Sequence, residues 1–564
     1  MIIFLLLIFF ITQLSSVKIE VKTTHGKLIG TPSLLLPNVT EFLGVPYAMP
    51  PVGDLRFKKP EYLPYNYYGK GLNVHSYAKA CIQIVKNINF QGFYGWQPRE
   101  DKMSEDCLQL NMWVPDKPTG AVIVFLFGGQ YMYGSSSLRF YDGNYLADRT
   151  GAIVINLNYR LGVFGFAYFH PERDDGIPGN LGLLDQQVGL EWIRENIRYF
   201  GGDPKKVTLF GQGSGAAMAT AHMFSCRSSR LFKRLIASSG TIINKWAVTK
   251  SYFVRDNFEK LIKEVKCNAG NYRNQIKCMQ NINARELAFK ASLINNANQY
   301  YSQSAFMPID EDDVFFFDNV TTLYKRRDFT KQNVDVLIGR TEDEASYFMP
   351  LLLNSSIYNC RLDYKMPMTS PVNQCKMTSM NYNYAINLIK HENRLTKQAV
   401  PIIKKLYEKP QERDFRDRIV RALSDFNFHC EANEFANVLH KRGLGNVYYY
   451  NFKKRSPSNP WPEWMGAMHR YDMLYIFGHP FTYPLYYKDD ILENEEKYSE
   501  KIMNIIGGFA NYGNITREID NLEQTYITDK EYKDKFEIGQ YSSKKFDKNG
   551  VCSDVEFIRK KYKL

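Results

Sequence analysis

The stretch KKVTLFGQGSGAAMAT (residues 205–220) decides the fold of this chain. It predicts a strand, a glycine-rich turn and the start of a helix. Gly211, Gly213 and Ala216 match G-x-G-x-x-A, the phosphate-binding turn of dinucleotide-binding folds. The same turn is one serine short of G-x-S-x-G, the elbow that presents the nucleophile of a hydrolase. The surrounding sequence has to decide between a cofactor site and a hydrolase elbow.

The cofactor interpretation of this turn lacks its acidic partner. A dinucleotide-binding turn is followed about 20 residues later by an Asp or Glu that holds the ribose hydroxyls. Residues 214–255 contain no acidic side chain. The turn also lies far inside the strand–helix pattern instead of opening it. We therefore expect no cofactor and no metal.

The hydrolase interpretation requires a nucleophile, a carboxylate and a histidine base, in that chain order. GRTEDEASYF (339–348) supplies Glu344 directly after a predicted strand. WPEWMGAMHRYDMLYIFG (461–478) supplies His469 in a loop rich in glycine and aromatic residues. The order of acid and base is therefore right, but the nucleophile position of the elbow is Gly213.

Strand-like runs recur along the chain and alternate with helix-like stretches such as residues 184–198. The runs are EFLGVPYA (41–48), AVIVFLFGG (121–129), AIVINLNYR (152–160), KVTLFG (206–211), VDVLIGR (334–340) and VYYYNF (447–452). This alternation predicts an α/β fold in which a central, mostly parallel sheet carries helices on both faces.

Long segments of the sequence resemble the cholinesterase and type B carboxylesterase family. The segments include FLGVPYAMPPVGDLRFKKP (42–60), MSEDCLQLNMWVP (103–115) and PGNLGLLDQQVGLEWIRENIRYFGGDP (178–204), besides the loop around His469. The resemblance extends over nearly the whole chain that follows the first residues. It implies an α/β-hydrolase fold with a deep gorge that leads to the site.

The resemblance assigns roles to the residues of the three elements that a triad needs. Glu344 and His469 match the family's acid and base, and Gly213 stands where the family has its serine. Gln212 replaces the acidic residue that precedes the nucleophile in cholinesterases. Because glycine has no atom that can attack a carbonyl, Glu344 and His469 are expected to be vestigial.

The oxyanion-hole loop also departs from the family pattern. Gly129 and Gln130 fall on this loop, where the family has three consecutive glycines, and Ser214 would supply the last oxyanion N–H. Ser214 is also a candidate substitute nucleophile, although its side chain leaves the helix axis roughly 100° away from the elbow direction. Its other role would be to cap the helix.

Three aromatic residues match the ligand-binding gorge of cholinesterases. Trp96 lies near the position that stacks a quaternary ammonium group, and Tyr347 and Phe348 match further aromatic residues of the gorge. A cation–π contact at Trp96 and plain packing inside the gorge are both consistent with this pattern.

Nine cysteines in an exported chain indicate disulfides and one unpaired thiol. The resemblance implies the pairs Cys81–Cys107, Cys267–Cys278 and Cys430–Cys552. It leaves Cys360 and Cys375 to close a further loop and Cys226 without a partner. Arg56 and Glu105 match a buried ion pair of the family.

The first residues predict export from the cell. MIIFLLLIFFITQLSS (1–16) reads as a signal peptide because its apolar run is too short to span a bilayer and small residues follow it. Residues 17–564 would form a single esterase-like domain without a transmembrane segment. Four N-x-S/T sequons agree with secretion and lie at Asn38, Asn319, Asn354 and Asn514.

The distribution of the net charge of +13 argues against nucleic acid as a partner. The excess of basic over acidic residues is spread along the chain, without the basic repeats and interleaved aromatic residues of nucleic-acid-binding proteins. A positive net charge also repels choline esters instead of steering them in.

Gly213 makes the chain similar to the catalytically inactive branch of the family, which includes neuroligins, gliotactin, glutactin and neurotactin. The resemblance therefore implies a secreted protein that binds an extracellular or cell-surface protein, with homodimerisation through helices near the C-terminus as an option. An atypical carboxylesterase that uses Ser214 is the alternative. A third hypothesis is a scavenger that holds hydrophobic or cationic ligands in the gorge, with Trp96 as the cation contact.

Overall fold

A computed structural model describes residues 18–85, 88–294, 303–408, 414–516, 536–547 and 550–564. The expected signal peptide lies outside the described residues. The strands are β1 (Ile19–Thr23), β2 (Gly26–Pro32), β3 (Val39–Pro46), β4 (Leu72–Asn73), β5 (Ala80–Cys81), β6 (Met103–Ser104), β7 (Gln109–Pro115), β8 (Val122–Leu126), β9 (Ile153–Leu157), β10 (Val207–Gln212), β11 (Arg234–Ser238), β12 (Asp335–Thr341), β13 (Val447–Phe452) and β14 (Phe536–Gln540).

The helices occupy the segments between the strands and most of the second half of the chain. They are α1 (Asn144–Thr150), α2 (Gly162–Phe166), α3 (Leu181–Asn196), α4 (Ser214–Ala221), α5 (Ser251–Glu264), α6 (Tyr272–Asn281), α7 (Ala284–Ser292), α8 (Val320–Arg326), α9 (Met349–Leu352), α10 (Ser379–Glu392), α11 (Ala399–Leu406), α12 (Phe415–Ser424), α13 (Cys430–Arg442), α14 (Asp472–Ile476), α15 (His479–Thr482), α16 (Asp489–Tyr512), α17 (Ser543–Phe546) and α18 (Val551–Lys561).

The large sheet has twelve strands among the described residues, in the order β1-β2-β3-β7-β9-β8-β10-β11-β12-β13-β14, with β4 beside β2. The six strands from β9 to β13 in this order run parallel, and the flanking strands pair antiparallel. This mixed, mostly parallel sheet is the arrangement that the sequence predicts for an α/β-hydrolase fold.

The central parallel strands are buried on both faces, which explains their continuous apolar sequences. Every residue of β8, β9, β10 and β11 is buried. Leu209 in the middle of β10 pairs with Val124 on one side and Leu235 on the other. Each strand run that the sequence predicts contains a strand, and the helix predicted at 184–198 is α3.

Functional side chains collect at the carboxyl ends of these strands, where α/β sheets bind their ligands. Gly129 follows β8, Gly213 follows β10, and Glu344 follows β12. His469 lies between β13 and α14. The sheet therefore brings together residues that lie as far as 340 positions apart in the sequence.

Candidate functional site

Three glycines form the elbow between β10 and α4. Gly211 and Gly215 have no room for a side chain, and Gly213 has an unusual backbone conformation. A Cβ atom on Gly211 would stand 2.2 Å from the Gly215 carbonyl oxygen, and one on Gly215 would stand 2.1 Å from the Leu126 carbonyl oxygen. Gly213 has a φ of +57° and a ψ of −122°, a conformation that L-residues rarely adopt. The turn therefore has the sharp geometry of a nucleophile elbow without the side chain.

Glu344 holds His469 in one tautomer. The Glu344 Oε2 atom accepts a hydrogen bond from His469 Nδ1 at 2.5 Å, and its Oε1 atom accepts the Thr341 N–H at 2.8 Å. Glu344 is fully buried and His469 is 4% exposed. Burial raises the pKa of the Glu344 carboxyl, but its interaction with His469 outweighs this effect and leaves the pKa below its usual value. The acid and base that the sequence predicts are thus assembled.

Gln212 forms a hydrogen bond with the other ring nitrogen of His469. Its side-chain amide nitrogen lies 3.0 Å from His469 Nε2 and donates to the lone pair that the tautomer leaves there. Gln212 is completely buried, and its Oε1 atom has no partner among the described residues. The nitrogen that would take a proton from a nucleophile is therefore already a hydrogen-bond acceptor.

Ser214 lines the site but bonds elsewhere. Its Oγ atom accepts the Gly129 N–H at 3.0 Å. Because Gly129 uses its N–H in this contact, the predicted oxyanion donor is engaged inside the protein. Gln130 has a φ of +52°, and its carbonyl oxygen accepts from Ser304 Oγ at 2.8 Å. Hydrogen bonds at Gly129 and at Gln130 thus hold the loop at the position where the family has its third glycine.

A cation already lies on the aromatic residues that the sequence predicts for a cationic ligand. The guanidinium carbon of Arg470 is 5.2 Å from the ring centre of Trp96 and 5.1 Å from that of Tyr347. Phe348 packs against His469 instead, with ring centres 5.0 Å apart. Sequence reasoning missed Arg470, and its signal was a charge directly after His469 in an aromatic loop.

Arg470, His469 and Phe348 line a small cavity with a volume of about 50 Å³, but Trp96 and Tyr347 are not among its lining residues. This volume accommodates only a few water molecules. Its lining comprises Gly129, Gln130, Tyr131, Tyr133, Gly213, Ser214, Trp246, Ser304, Ala345, Phe348, Leu352, Leu423, Asn427, Phe428, His469 and Arg470. This lining combines apolar and aromatic side chains with the polar groups of Gln130, Ser214 and Arg470.

The cysteines pair as the resemblance implies. The structure contains all four implied pairs, which are Cys81–Cys107, Cys267–Cys278, Cys360–Cys375 and Cys430–Cys552, and it leaves Cys226 free and exposed. Arg56 and Glu105 form the implied ion pair with two hydrogen bonds of 2.6 and 2.7 Å.

The four sequons differ in their surroundings. Asn38, Asn354 and Asn514 are exposed. Asn319 is partly buried, where its side chain caps the N-terminus of α8 and donates to Asp310 at 2.7 Å. The Nδ2 atom that would carry a glycan donates to Asp148 at Asn38 as well as to Asp310 at Asn319, so a glycan at either site would compete with a hydrogen bond. Among the helices of the described ranges, none has both the length and the hydropathy to cross a membrane.

Comparison with known proteins agrees with the fold. The sequence profile of the carboxylesterase family matches residues 17–552. The chain is 35% identical to a cholinesterase of Mus musculus over 501 residues, which cover 87% of this chain and 78% of that protein. It is 33% identical to acetylcholinesterase 4 of Caenorhabditis briggsae over 521 residues (88% and 81%). It is 34% identical to an acetylcholinesterase of Bungarus fasciatus over 516 residues (89% and 80%).

Proposed function

This chain belongs to the carboxylesterase family, and we propose that it is a secreted member that binds an extracellular protein partner and does not hydrolyse esters. One observation carries the proposal: the residue at the elbow is Gly213, so the assembled Glu344–His469 pair has no nucleophile to activate. Loss of a triad nucleophile typically lowers turnover by about 10⁶-fold.

Three further features support the absence of turnover. Gln212 donates to the histidine nitrogen that would have to accept a proton. Gly129 gives its N–H to Ser214 Oγ and not to an oxyanion. Arg470 places a positive charge on Trp96, where a cationic ester would have to bind. Each of these features opposes a different requirement of choline ester hydrolysis.

The alternative is a carboxylesterase that uses Ser214 as a shifted nucleophile. Ser214 lines the same cavity as His469, which is the observation in its favour. Its Oγ atom, however, accepts a hydrogen bond from the Gly129 N–H, and the partner of His469 Nε2 is Gln212 and not Ser214. A general base must lie within hydrogen-bond reach of the proton that it removes. Ser214 would therefore need a rearranged elbow to react.

Covalent labelling distinguishes these two functions. The purified protein is incubated with an excess of diisopropyl fluorophosphate and its intact mass is measured, with Ser214→Ala as the matched variant. We expect no adduct in either protein. A stoichiometric adduct on the native chain that disappears in Ser214→Ala would establish the alternative and overturn the proposal.

The partner is tested on intact cells. Fluorescently labelled protein should bind in a saturable manner to cells of the organism that produces it. Trypsin treatment of the cells should abolish this binding. Sedimentation velocity on the same preparation tests the expected homodimer. Binding that survives trypsin would point to a lipid or glycan surface and would contradict a protein partner.

A further inference from the structure

Arg470 is a buried charge whose counter-ion is missing from the part of the chain that the structure describes. The residue is 4% exposed. Its guanidinium forms no ion pair with any described carboxylate, and its Nε atom has no hydrogen-bond partner there. A buried charge without a partner is costly, because it loses its hydration and gains no compensating charge. The site is therefore electrostatically incomplete.

The aromatic neighbours of Arg470 do not make up for an anion. Its guanidinium carbon lies 5.1, 5.2 and 5.9 Å from the ring centres of Tyr347, Trp96 and Tyr133. These contacts and a hydrogen bond to the Tyr133 hydroxyl stabilise the guanidinium, but none of them supplies the full negative charge that would compensate a buried cation. The rings orient the guanidinium, and its charge remains available to the cavity that Arg470 lines.

The other groups that line the cavity define what could accompany the charge. Ser214 is the first residue of α4, so its backbone N–H has no acceptor within the helix and favours an anion. The lining also includes a set of apolar side chains, namely Trp246, Phe348, Leu352, Leu423 and Phe428. The cavity thus combines groups that suit a negative charge with a surface that suits a short hydrocarbon.

We propose that this cavity is a binding site for a short-chain monocarboxylate, whose carboxylate pairs with Arg470 and whose alkyl group packs against Phe348 and Phe428. The volume of about 50 Å³ excludes large ligands. The carboxylate would form charge-assisted hydrogen bonds with the guanidinium, which are stronger than neutral ones. No bond is made or broken, so binding of the acid is independent of the proposed lack of turnover and of the protein partner.

Titration with sodium butyrate at constant ionic strength tests this site by calorimetry on the full secreted chain. We expect saturable binding by the native protein, no binding of butyramide and no binding of tetramethylammonium. Arg470→Gln should weaken butyrate binding at least 10-fold, and Arg470→Lys, which keeps the charge, should lose less. Arg149→Gln is the matched control because Arg149 also stacks on a ring, that of Phe481, but at the surface.

Several results would overturn the proposal. They are the absence of butyrate binding to the native chain, equal binding of butyrate and butyramide, and unchanged affinity in folded Arg470→Gln. Binding of tetramethylammonium would equally contradict a cavity that carries its own cation. If Arg470→Gln fails to fold, the comparison of butyrate with butyramide on the native chain decides. Diisopropyl fluorophosphate labelling is unaffected by any of these outcomes, so the proposed function stands or fails separately.

Discussion

The Nε2 atom of His469 lies 2.9 Å from the position that a Cβ atom on Gly213 would take. This distance is shorter than any that an unstrained side chain keeps, and Gly213 also has a positive φ. The elbow therefore keeps its strained backbone conformation, and His469 lies in the space that the side chain of a serine would need. Restoring the serine has consequences for both stability and chemistry.

Gly213→Ser should destabilise the protein by about 1–3 kcal/mol, because the new side chain is strained by its backbone conformation and crowds His469. Urea unfolding with the disulfides intact measures the change. Gly443→Ser is the control, since Gly443 also has a positive φ, of +62°, but no atom within 4 Å of its added Cβ. A loss at Gly213 no larger than that at Gly443 would show that His469 moves away freely.

Gly213→Ser alone should hydrolyse 4-nitrophenyl acetate only slightly above background, because Gln212 still donates to His469 Nε2. The double variant Gly213→Ser with Gln212→Glu should be at least 10-fold faster, since an ionised carboxylate cannot donate and general-base catalysis is worth about 10²–10⁴-fold. Initial rates give the comparison. Adding His469→Ala should remove the gain, and equal rates in the single and double variants would show that Gln212 does not block the base.

Asp472 should make the protein less stable as the pH rises from about 4 to about 6. Burial raises its pKa to about 6, although hydrogen bonds from Ser238 and Tyr450 oppose this rise. The pKa of an unfolded Asp is about 3.9. The folded state therefore holds the proton more tightly, and its loss removes about 3 kcal/mol of stability.

Asp472→Asn tests this titration because asparagine resembles the protonated acid. Relative to the native protein, the variant should be more stable at pH 7.5 than at pH 4.5, as measured by urea unfolding at both values. Asp116→Asn, at an exposed position, should show no such difference. Parallel pH curves for Asp472→Asn and the native protein would mean that Asp472 is ionised throughout.

Glu105→Gln should lower the free energy of unfolding by about 3 kcal/mol, because it leaves the Arg56 guanidinium buried without a counter-charge. Thermal and urea unfolding measure the loss. Glu493→Gln removes a carboxylate from an exposed helical pair with Lys497 and should change the stability by less than about 0.5 kcal/mol. Similar effects of the two substitutions would show that the pair at Arg56 is hydrated.

The sequence alone determined everything that depends on local pattern. Continuous apolar runs identified β8, β9 and β10, and the glycine-rich turn after β10 identified the elbow. Chain order and family resemblance identified Glu344 and His469 and showed that Gly213 has no side chain to react. These features are legible because strand periodicity and backbone strain involve residues that are adjacent in the chain.

The tertiary structure decided which atoms meet. Gln212 and His469 are 257 residues apart, and only the fold shows that the side-chain amide of Gln212 forms a hydrogen bond with the imidazole of His469. The same holds for Arg470, whose guanidinium lies on the ring of Trp96 far upstream in the chain. A side-chain partner depends on how strands distant in sequence pack at one edge of a sheet, and no local spacing encodes it.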